Sequence, residues 1–442
     1  MKKISAVLLI AVLASGLVFA GFSGSAAMGF GYNLDSKAYG FMDDAQKVNI
    51  DVALFEALGE AKGEGDIYAE IKGSLSITFN TNGDEKTSIT NPDPAVTGGS
   101  DKLKDGFASQ VIVKAKIDSA KIIGKDWYVG ILSAPDAANF AKSAIDSKDV
   151  AQDPNALGYE SDDETKYADF KVIEMIKASG SKPMGIEAGY AGYVVGAGLV
   201  GDAGAKTYNV YGTITTPDYE VADGVVVATG LTGSFANTGK VFGGSVKVAY
   251  TADAFKASVA SDLGYDGEFG ADVALNIAYA PVTLDAYYAT KSNKDVFLTV
   301  DNLLSAKVVT DLNEFDVPVK LTVTGKDLIN AQDLSAEVAI SVADGLTITP
   351  AGGYKISTET WNAGASVEYK ADAFTAKVGG KYYSTEQLKL NASVESTALV
   401  PGATLKLAYA GDDVLNKLAP ADQTDLDNGV LGKVVASCKI AF

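Results

Sequence analysis

The sequence contains no arginine and no histidine: all 37 of its basic side chains are lysines, set against 56 Asp and Glu, for a formal charge of −19 over 442 residues. The missing histidines remove the Ser-His-Asp and Cys-His nucleophile pairs, the HExxH zinc site and the imidazole switch that works near neutral pH. No enzyme activity and no cofactor are expected. The missing arginines remove the bidentate fork that grips phosphate or guanine, and a chain this acidic repels a polyanion, so nucleic acid is not an expected partner. The single cysteine, Cys438, cannot close an internal bridge. It reads as a small apolar filler in a strand, and stability must come from a large core or from a sheet closed on itself.

What is present begins with a separate N-terminal object. Lys2 and Lys3 precede an apolar run from Ile4 to Val18, and Val18-Phe19-Ala20 supplies the residues a signal peptidase reads. The run is shorter than the roughly 20 residues of a membrane-spanning helix, so cleavage after Ala20 is predicted, with residues 21–442 exported. Residue 21 is Gly and not Cys, so no lipid-anchored N-terminus is expected. No later segment is an apolar 20-mer.

Period two dominates the rest. Ile67, Ala69, Ile71, Gly73, Leu75, Ile77 and Phe79 alternate with Tyr68, Glu70, Lys72, Ser74, Ser76 and Thr78, the signature of a strand with one apolar and one polar face. The same alternation places Val111, Val113 and Ala115 against Lys114 and Lys116, and Phe269 to Tyr279 against Asp272 and Asn276. It recurs with Leu334, Ala336 and Val338 against Glu337, and with Leu388 and Leu390 against Lys389. Asp223-Gly224, Asp266-Gly267 and Asp344-Gly345 each separate two such runs, where a hairpin needs residues that accept positive φ. An internal echo, Val248 to Phe255 against Val367 to Phe374, reads as a duplicated hairpin with an Ala-Asp turn. The fold class is all-β and antiparallel.

Such alternation suits either a transmembrane β-barrel or a soluble sandwich with its polar face outward. Tyrosines cluster where strands end, at Tyr250, Tyr265, Tyr279, Tyr287-Tyr288, Tyr369, Tyr382-Tyr383 and Tyr409, as in the girdles at bilayer interfaces. Lys, Glu, Asp and Asn stand mid-strand on the polar faces, which suits a water-filled lumen. The chain stops on Phe442, with Val434, Ala436, Cys438 and Ile440 on the same face. A terminal strand of that kind resembles the signal read by the assembly machinery of outer-membrane barrels, and it would close against a first strand around Met28, Phe30 and Tyr32.

Three stretches carry a closer resemblance: Gly21-Phe22-Ser23-Gly24-Ser25-Ala26, Gly31-Tyr32-Asn33-Leu34-Asp35, and Ala61-Lys62-Gly63-Glu64-Gly65-Asp66 running on to Lys72. They look like the major outer-sheath or major surface proteins of oral treponemes. The resemblance is carried by roughly the first third of the exported chain. It implies an abundant β-barrel in outer-membrane lipid with porin activity, homo-oligomeric assembly, and roles as surface antigen and as adhesin for host surface or matrix proteins.

About twenty alternating segments of near-spanning length predict an even-numbered barrel of 18 strands, with 16 or 20 as neighbours. Three connections are too long for tight turns: residues 80 to 105, 411 to 428, and 133 to 183, the last with expected helices over Asp136 to Ile145 and Phe170 to Ala178. Its acidic run Asp162, Asp163 and Glu164 reads either as a solvated face or as part of a loop folded into the pore, where carboxylates favour cations. Candidate lumen-facing residues are Glu70, Lys72, Lys114, Lys116, Asp272, Glu337 and Lys389. The candidate assembly signal is Val434, Cys438, Ile440 and Phe442. Gly196-Ala197-Gly198-Leu199-Val200-Gly201 matches GxGxxG, with Glu220 about twenty residues on. Strand-like spacing follows it where a nucleotide fold needs a helix, so the glycines read as small residues in a crowded strand. Two functions remain: a passive channel for small hydrophilic solutes and ions, or a surface structural protein and adhesin acting through its loops.

Overall fold

A computed structural model describes residues 21–35, 39–42, 47–54, 67–80, 103–104, 110–131, 138–142, 184–202, 207–236, 239–265, 269–291, 301–411, 413–415 and 431–441. Its strands begin with β1 (Gly21–Asn33), β2 (Tyr39–Met42), β3 (Lys47–Leu54), β4 (Tyr68–Asn80), β5 (Leu103–Lys104), β6 (Gln110–Ile123), β7 (Trp127–Ile131) and β8 (Met184–Tyr190). They continue with β9 (Tyr193–Asp202), β10 (Thr207–Thr215), β11 (Tyr219–Ala222), β12 (Val225–Ala236), β13 (Gly239–Ala252), β14 (Phe255–Tyr265), β15 (Phe269–Tyr279) and β16 (Val282–Lys291). Last come β17 (Asp301–Asp311), β18 (Val319–Lys326), β19 (Asp333–Ala343), β20 (Leu346–Lys355), β21 (Thr360–Lys370), β22 (Thr375–Tyr383), β23 (Leu388–Ser396), β24 (Ala403–Gly411) and β25 (Lys433–Ala441).

Each strand pairs antiparallel with its neighbours, and β25 returns to β1 from Ser25↔Ala441 to Asn33↔Lys433, so the sheet closes. Of the 25 strands, β2, β5 and β11 are short extensions of the ladder, leaving 22 in the ring. The fold is therefore the expected antiparallel barrel, but wider than the 16 to 20 strands predicted. With strands about 4.8 Å apart and tilted by about 40°, a ring of this size has a circumference near 140 Å and, if circular, a diameter of about 45 Å. Wall side chains cannot fill such a bore.

Cross-strand partners share a face, so the registers assign every paired position. Phe269, Val273 and Tyr279 of β15 face outward with Val259, Leu263 and Tyr265 of β14, and all six are exposed. The opposite face holds Ser245, Asp262, Asp272, Ser305 and Thr322, all buried. A soluble sandwich buries the apolar stripe and wets the polar one; here the order is reversed. Phe255 and Tyr265 stand ten residues apart in β14, as do Phe269 and Tyr279 in β15. At about 3.3 Å per residue and about 40° of tilt, these aromatics bracket an apolar band about 25 Å tall, the height of a bilayer-facing belt. Aromatic pairs cross neighbouring strands at Phe235–Phe242, Trp361–Tyr382, Tyr250–Phe255 and Tyr369–Phe374. The last two, with centroids 6.1 and 6.0 Å apart, are the corresponding pairs of the duplicated hairpin.

Two tyrosines assigned to the girdle belong to the inner face: Tyr287, 1% exposed, and Tyr383, which pairs with the inward Asn362. Consecutive aromatics in a pleated strand cannot share a face, so Tyr287-Tyr288 and Tyr382-Tyr383 each send one ring outward.

The alternating strand directions separate two rims. One carries the short turns at 191–192, 223–224, 253–254, 280–281 and 344–345, and also the ends of the closing pair at Gly21 and Ala441. The 55–66 connection is the long exception there. The other rim receives all three long connections, β4 to β6, β7 to β8, and β24 to β25. The turns at Asp223-Gly224 and Asp344-Gly345 place positive φ on glycine alone, 69° at each, and a register shift accompanies both. They are bulged hairpins in which a Cβ at Gly224 or Gly345 would strike the carbonyl oxygen of Thr251 or Lys370. The expected helix over Asp136 to Ile145 is contradicted where it is described, since residues 138–142 are irregular. Helical turns among the described residues are the short Leu312–Phe315 and Ile356–Thr358. No helix among them is long and apolar enough to cross a membrane, which leaves crossing by strands untouched.

Candidate pore and inner wall

The register places Glu70, Asp272, Glu337 and Lys389 on the inner face, while the side chains of Lys72, Lys114 and Lys116 lie outside the described residues. Glu70 opposes Lys121, Lys72 opposes Ser119, and Lys114 and Lys116 oppose Ser76 and Ser74 across β4 and β6. Asp272 opposes Asp262, Glu337 opposes Thr322, and Lys389 opposes Lys381. Charge pairs bridge strands of this wall: Lys121 of β6 reaches Glu187 of β8 across Gly130 of β7, and neighbouring strands join Lys377 with Glu368 at 2.6 Å and Lys406 with Glu395 at 3.6 Å. Asn276 donates to Asp285 at 2.6 Å on the same side. Among the described residues no group of three or more Asp, Glu or Cys side chains is placed to hold a metal ion.

Residues 138–142, from the long β7–β8 connection, lie against this wall. Asp262 accepts the backbone N–H of Phe140 at 3.1 Å and of Ala141 at 2.8 Å. With its amide turned to suit both neighbours, Asn139 donates to the same carboxylate at 2.8 Å. Ser245 donates its hydroxyl to the carbonyl oxygen of Ala138 at 2.8 Å, and Gly230 leaves room for the Ala138 methyl, which a Cβ there would overlap. Gly230, Ser245 and Asp262 are successive cross-strand partners on β12, β13 and β14, and the rung runs on through Asp272, Ala289 and Leu303. The segment therefore crosses the strands along one rung instead of following any one of them. Asp262 is itself held, its N–H donating to Asp272 at 3.2 Å, and Asp272 accepts the Tyr287 hydroxyl at 2.9 Å. A carboxylate taking three donors fixes a segment that makes no ladder hydrogen bonds of its own.

Sequence reasoning singled out Asp272 but missed Asp262, Ser245 and Tyr287. Asp262 lies two residues before Gly264 in an ordinary alternating run, and the backbone donors its carboxylate binds, Phe140 and Ala141, are more than a hundred positions away. The run Asp162, Asp163 and Glu164 lies outside the described residues, as do residues 1–20, the patch at Phe170 to Ala178, and Phe442. Val434, Cys438 and Ile440 face outward on β25, opposite Tyr409, Leu405 and Ala403 of β24.

The glycine motif is part of the wall. Gly196 to Gly201 lies within β9, and strand β10 follows it, with no helix N-terminus to receive a pyrophosphate. A Cβ at Gly198 would overlap the Tyr211 ring, so the glycine makes room for a large inward side chain. Glu220 accepts the Gly224 N–H at 3.4 Å in a hairpin turn.

At the seam, Asp35 accepts the N–H of Leu431 at 2.9 Å and of Gly432 at 3.2 Å, while Leu34 donates to the Gly432 carbonyl at 2.9 Å. The turn after the first strand thus caps the start of the last.

No protein-family model matches the chain, and no curated protein matches it. Several solved barrels are similar at low identity. A mutant of the Rh. blastica porin is 9% identical with a TM-score of 0.33, over 53% of this chain and 91% of that one. The translocation pore of the P pilus usher is 9% identical with a TM-score of 0.42, over 95% and 99% of the two chains. A mutant ferric enterobactin receptor from Pseudomonas aeruginosa is also 9% identical at 0.42, over 97% and 81%.

Proposed function

We propose that this chain is an outer-membrane porin, a water-filled barrel through which small hydrophilic solutes and ions diffuse passively. The observation that carries the reading is the inverted dress of the ring: an aromatic-edged apolar belt outside and a wall of Lys, Glu, Asp, Asn and Ser inside a bore too wide for side chains to close. The segment held by Asp262 narrows that bore on the side of β12 to β14. Export through a cleaved signal peptide, and insertion by the barrel-assembly machinery reading the terminal strand, belong to the same proposal. Purified protein in planar lipid bilayers should give stable open steps; their absence across independent preparations would refute it.

A second reading, a surface structural protein or adhesin, is favoured by one observation: all three long connections emerge on the same rim. The resemblance to treponemal surface proteins points the same way, with host surface or matrix proteins as partners and a homo-oligomer as the assembled form. Binding of whole cells to matrix proteins, with and without those loops, separates the two readings.

A further inference from the structure

The two faces of the wall differ in where they carry charge, and one residue breaks the pattern. Of the charged side chains described in the strands, Lys240 alone takes an outward register position. It is exposed at the start of β13, opposite the outward Phe235 of β12 and two residues beyond the girdle ring of Phe242. At about 3.3 Å per residue and about 40° of tilt, that sets it about 5 Å nearer the rim of the long connections than the girdle, at the depth of lipid headgroups. Its ammonium group lies 6.0 Å from the centroid of the Phe235 ring, and among the described residues no carboxylate is paired with it.

Directly below this pair, toward the middle of the belt, the outer wall is recessed. Ala197, Gly212 and Gly233 are successive cross-strand partners on the outward face of β9, β10 and β12, and the row ends against the Phe242 ring. Phe235 and Leu231, two residues to either side of Gly233, form its banks and are 50% and 64% exposed. Packing within the chain does not require the two glycines: a Cβ would meet its nearest neighbour at 3.7 Å at Gly212 and at 3.5 Å at Gly233, both ordinary contacts. The reverse holds on the inner face at Gly198, where the Tyr211 ring takes the space. The recess is open to whatever lies against the belt, and it runs about 10 Å across three strands.

We propose that Lys240, Phe235 and this recess form a docking site for an anionic phospholipid, with its phosphate on the Lys240 ammonium and the upper part of one acyl chain along Ala197, Gly212 and Gly233. Charge complementarity selects the headgroup: a phosphodiester of net negative charge is attracted to an ammonium at the membrane surface, and a zwitterionic headgroup gains no such net attraction. The Phe235 ring holds the lysine against the wall, so its charge stands above the recess instead of out in bulk water. The site goes beyond the porin reading, since it faces lipid and works whether or not the lumen conducts.

The test is fluorescence quenching of the full exported chain refolded into vesicles of phosphatidylcholine and phosphatidylglycerol, with one or the other lipid brominated on its acyl chains. The chain has two tryptophans, Trp127 and Trp361, and Trp361 points outward at the same rim, opposite Tyr354. Trp127→Phe and Trp361→Phe combined with Val210→Trp leave one reporter beside the recess, opposite Phe235; Trp127→Phe alone keeps Trp361 as the comparison. Phosphatidylglycerol should be preferred about five-fold at the Val210→Trp reporter and should bind about as well as phosphatidylcholine at Trp361. Lys240→Gln should remove the preference, Lys240→Glu should reverse it, and Gly233→Leu, which fills the recess, should weaken quenching of the reporter by either lipid. Heat-modifiable migration on gels verifies that each variant is a folded barrel. A preference equal at the two reporters, one that survives Lys240→Gln, one displaced by millimolar inorganic phosphate, or quenching untouched by Gly233→Leu would overturn the site and leave the porin reading standing.

Discussion

Asp262 accepts the backbone N–H of Ala141 at 2.8 Å, binding two points of the chain 121 residues apart on the inside of the barrel. The bond belongs to a set of contacts that lays residues 138–142 across β12, β13 and β14 along one rung. Replacing Asp262 with Ala leaves the N–H groups of Phe140 and Ala141 without their acceptor, at about 1–3 kcal/mol for each buried donor. We expect the segment to leave the wall and single-channel steps to become larger or noisier, while the belt of the barrel is unaffected. Recordings of D262A indistinguishable from those of the parent would mean that the segment does not shape the channel.

The outer belt makes a depth-dependent prediction. Val259 points outward in mid-strand, and its neighbour Ser258 points inward. Val259→Lys should cost roughly 2–4 kcal/mol, the penalty for a cation near the bilayer midplane, and Ser258→Lys should cost little. Urea titration of barrels refolded into lipid vesicles compares them. Equal losses at the two positions would contradict the assignment of faces.

The seam depends on Asp35. Asp35→Ala removes the acceptor for Leu431 and Gly432 at the start of β25 and should destabilise the closed barrel by about 1 kcal/mol, since the site is largely open to solvent. The expected readout is a lower temperature for conversion from the fast-migrating folded band to the unfolded one. An unchanged transition would show that strand pairing alone holds the seam.

The two rims should differ on intact cells. An epitope inserted in the 81–102 connection should be reached by antibody from outside, and one inserted at Asp372-Ala373 should be reached only after the membrane is permeabilised. The opposite pattern would invert the orientation and remove the support for a loop-borne adhesin.

Much of this architecture is legible in the sequence because a barrel wall is built from local alternation. Phe269 to Tyr279 and Leu388 to Glu395 announce both the strand and its two faces, and Asp272, Glu337 and Lys389 take inward register positions. The strand number is less legible because β7 and β8, of 5 and 7 residues, are shorter than a tilted strand that crosses a bilayer. An aromatic beside a strand end looks the same in sequence whichever way it points, so Tyr287 and Tyr383 read as girdle residues. The contacts of Asp262 were invisible for a different reason: the segment it holds has no period, and the pairing spans more than a hundred residues.

The central claim is that the apolar stripes face lipid and the polar stripes face enclosed water, and labelling along one strand tests it most directly. Single cysteines at Asn391, Ala392, Ser393 and Val394 of β23, in a Cys438→Ala background, would each carry an environment-sensitive fluorophore in lipid vesicles. The account predicts alternation: Ala392 and Val394 quenched by a lipid-soluble agent, Asn391 and Ser393 by a water-soluble one. Water-soluble quenching at all four positions, or lipid quenching at Asn391 and Ser393, would contradict it.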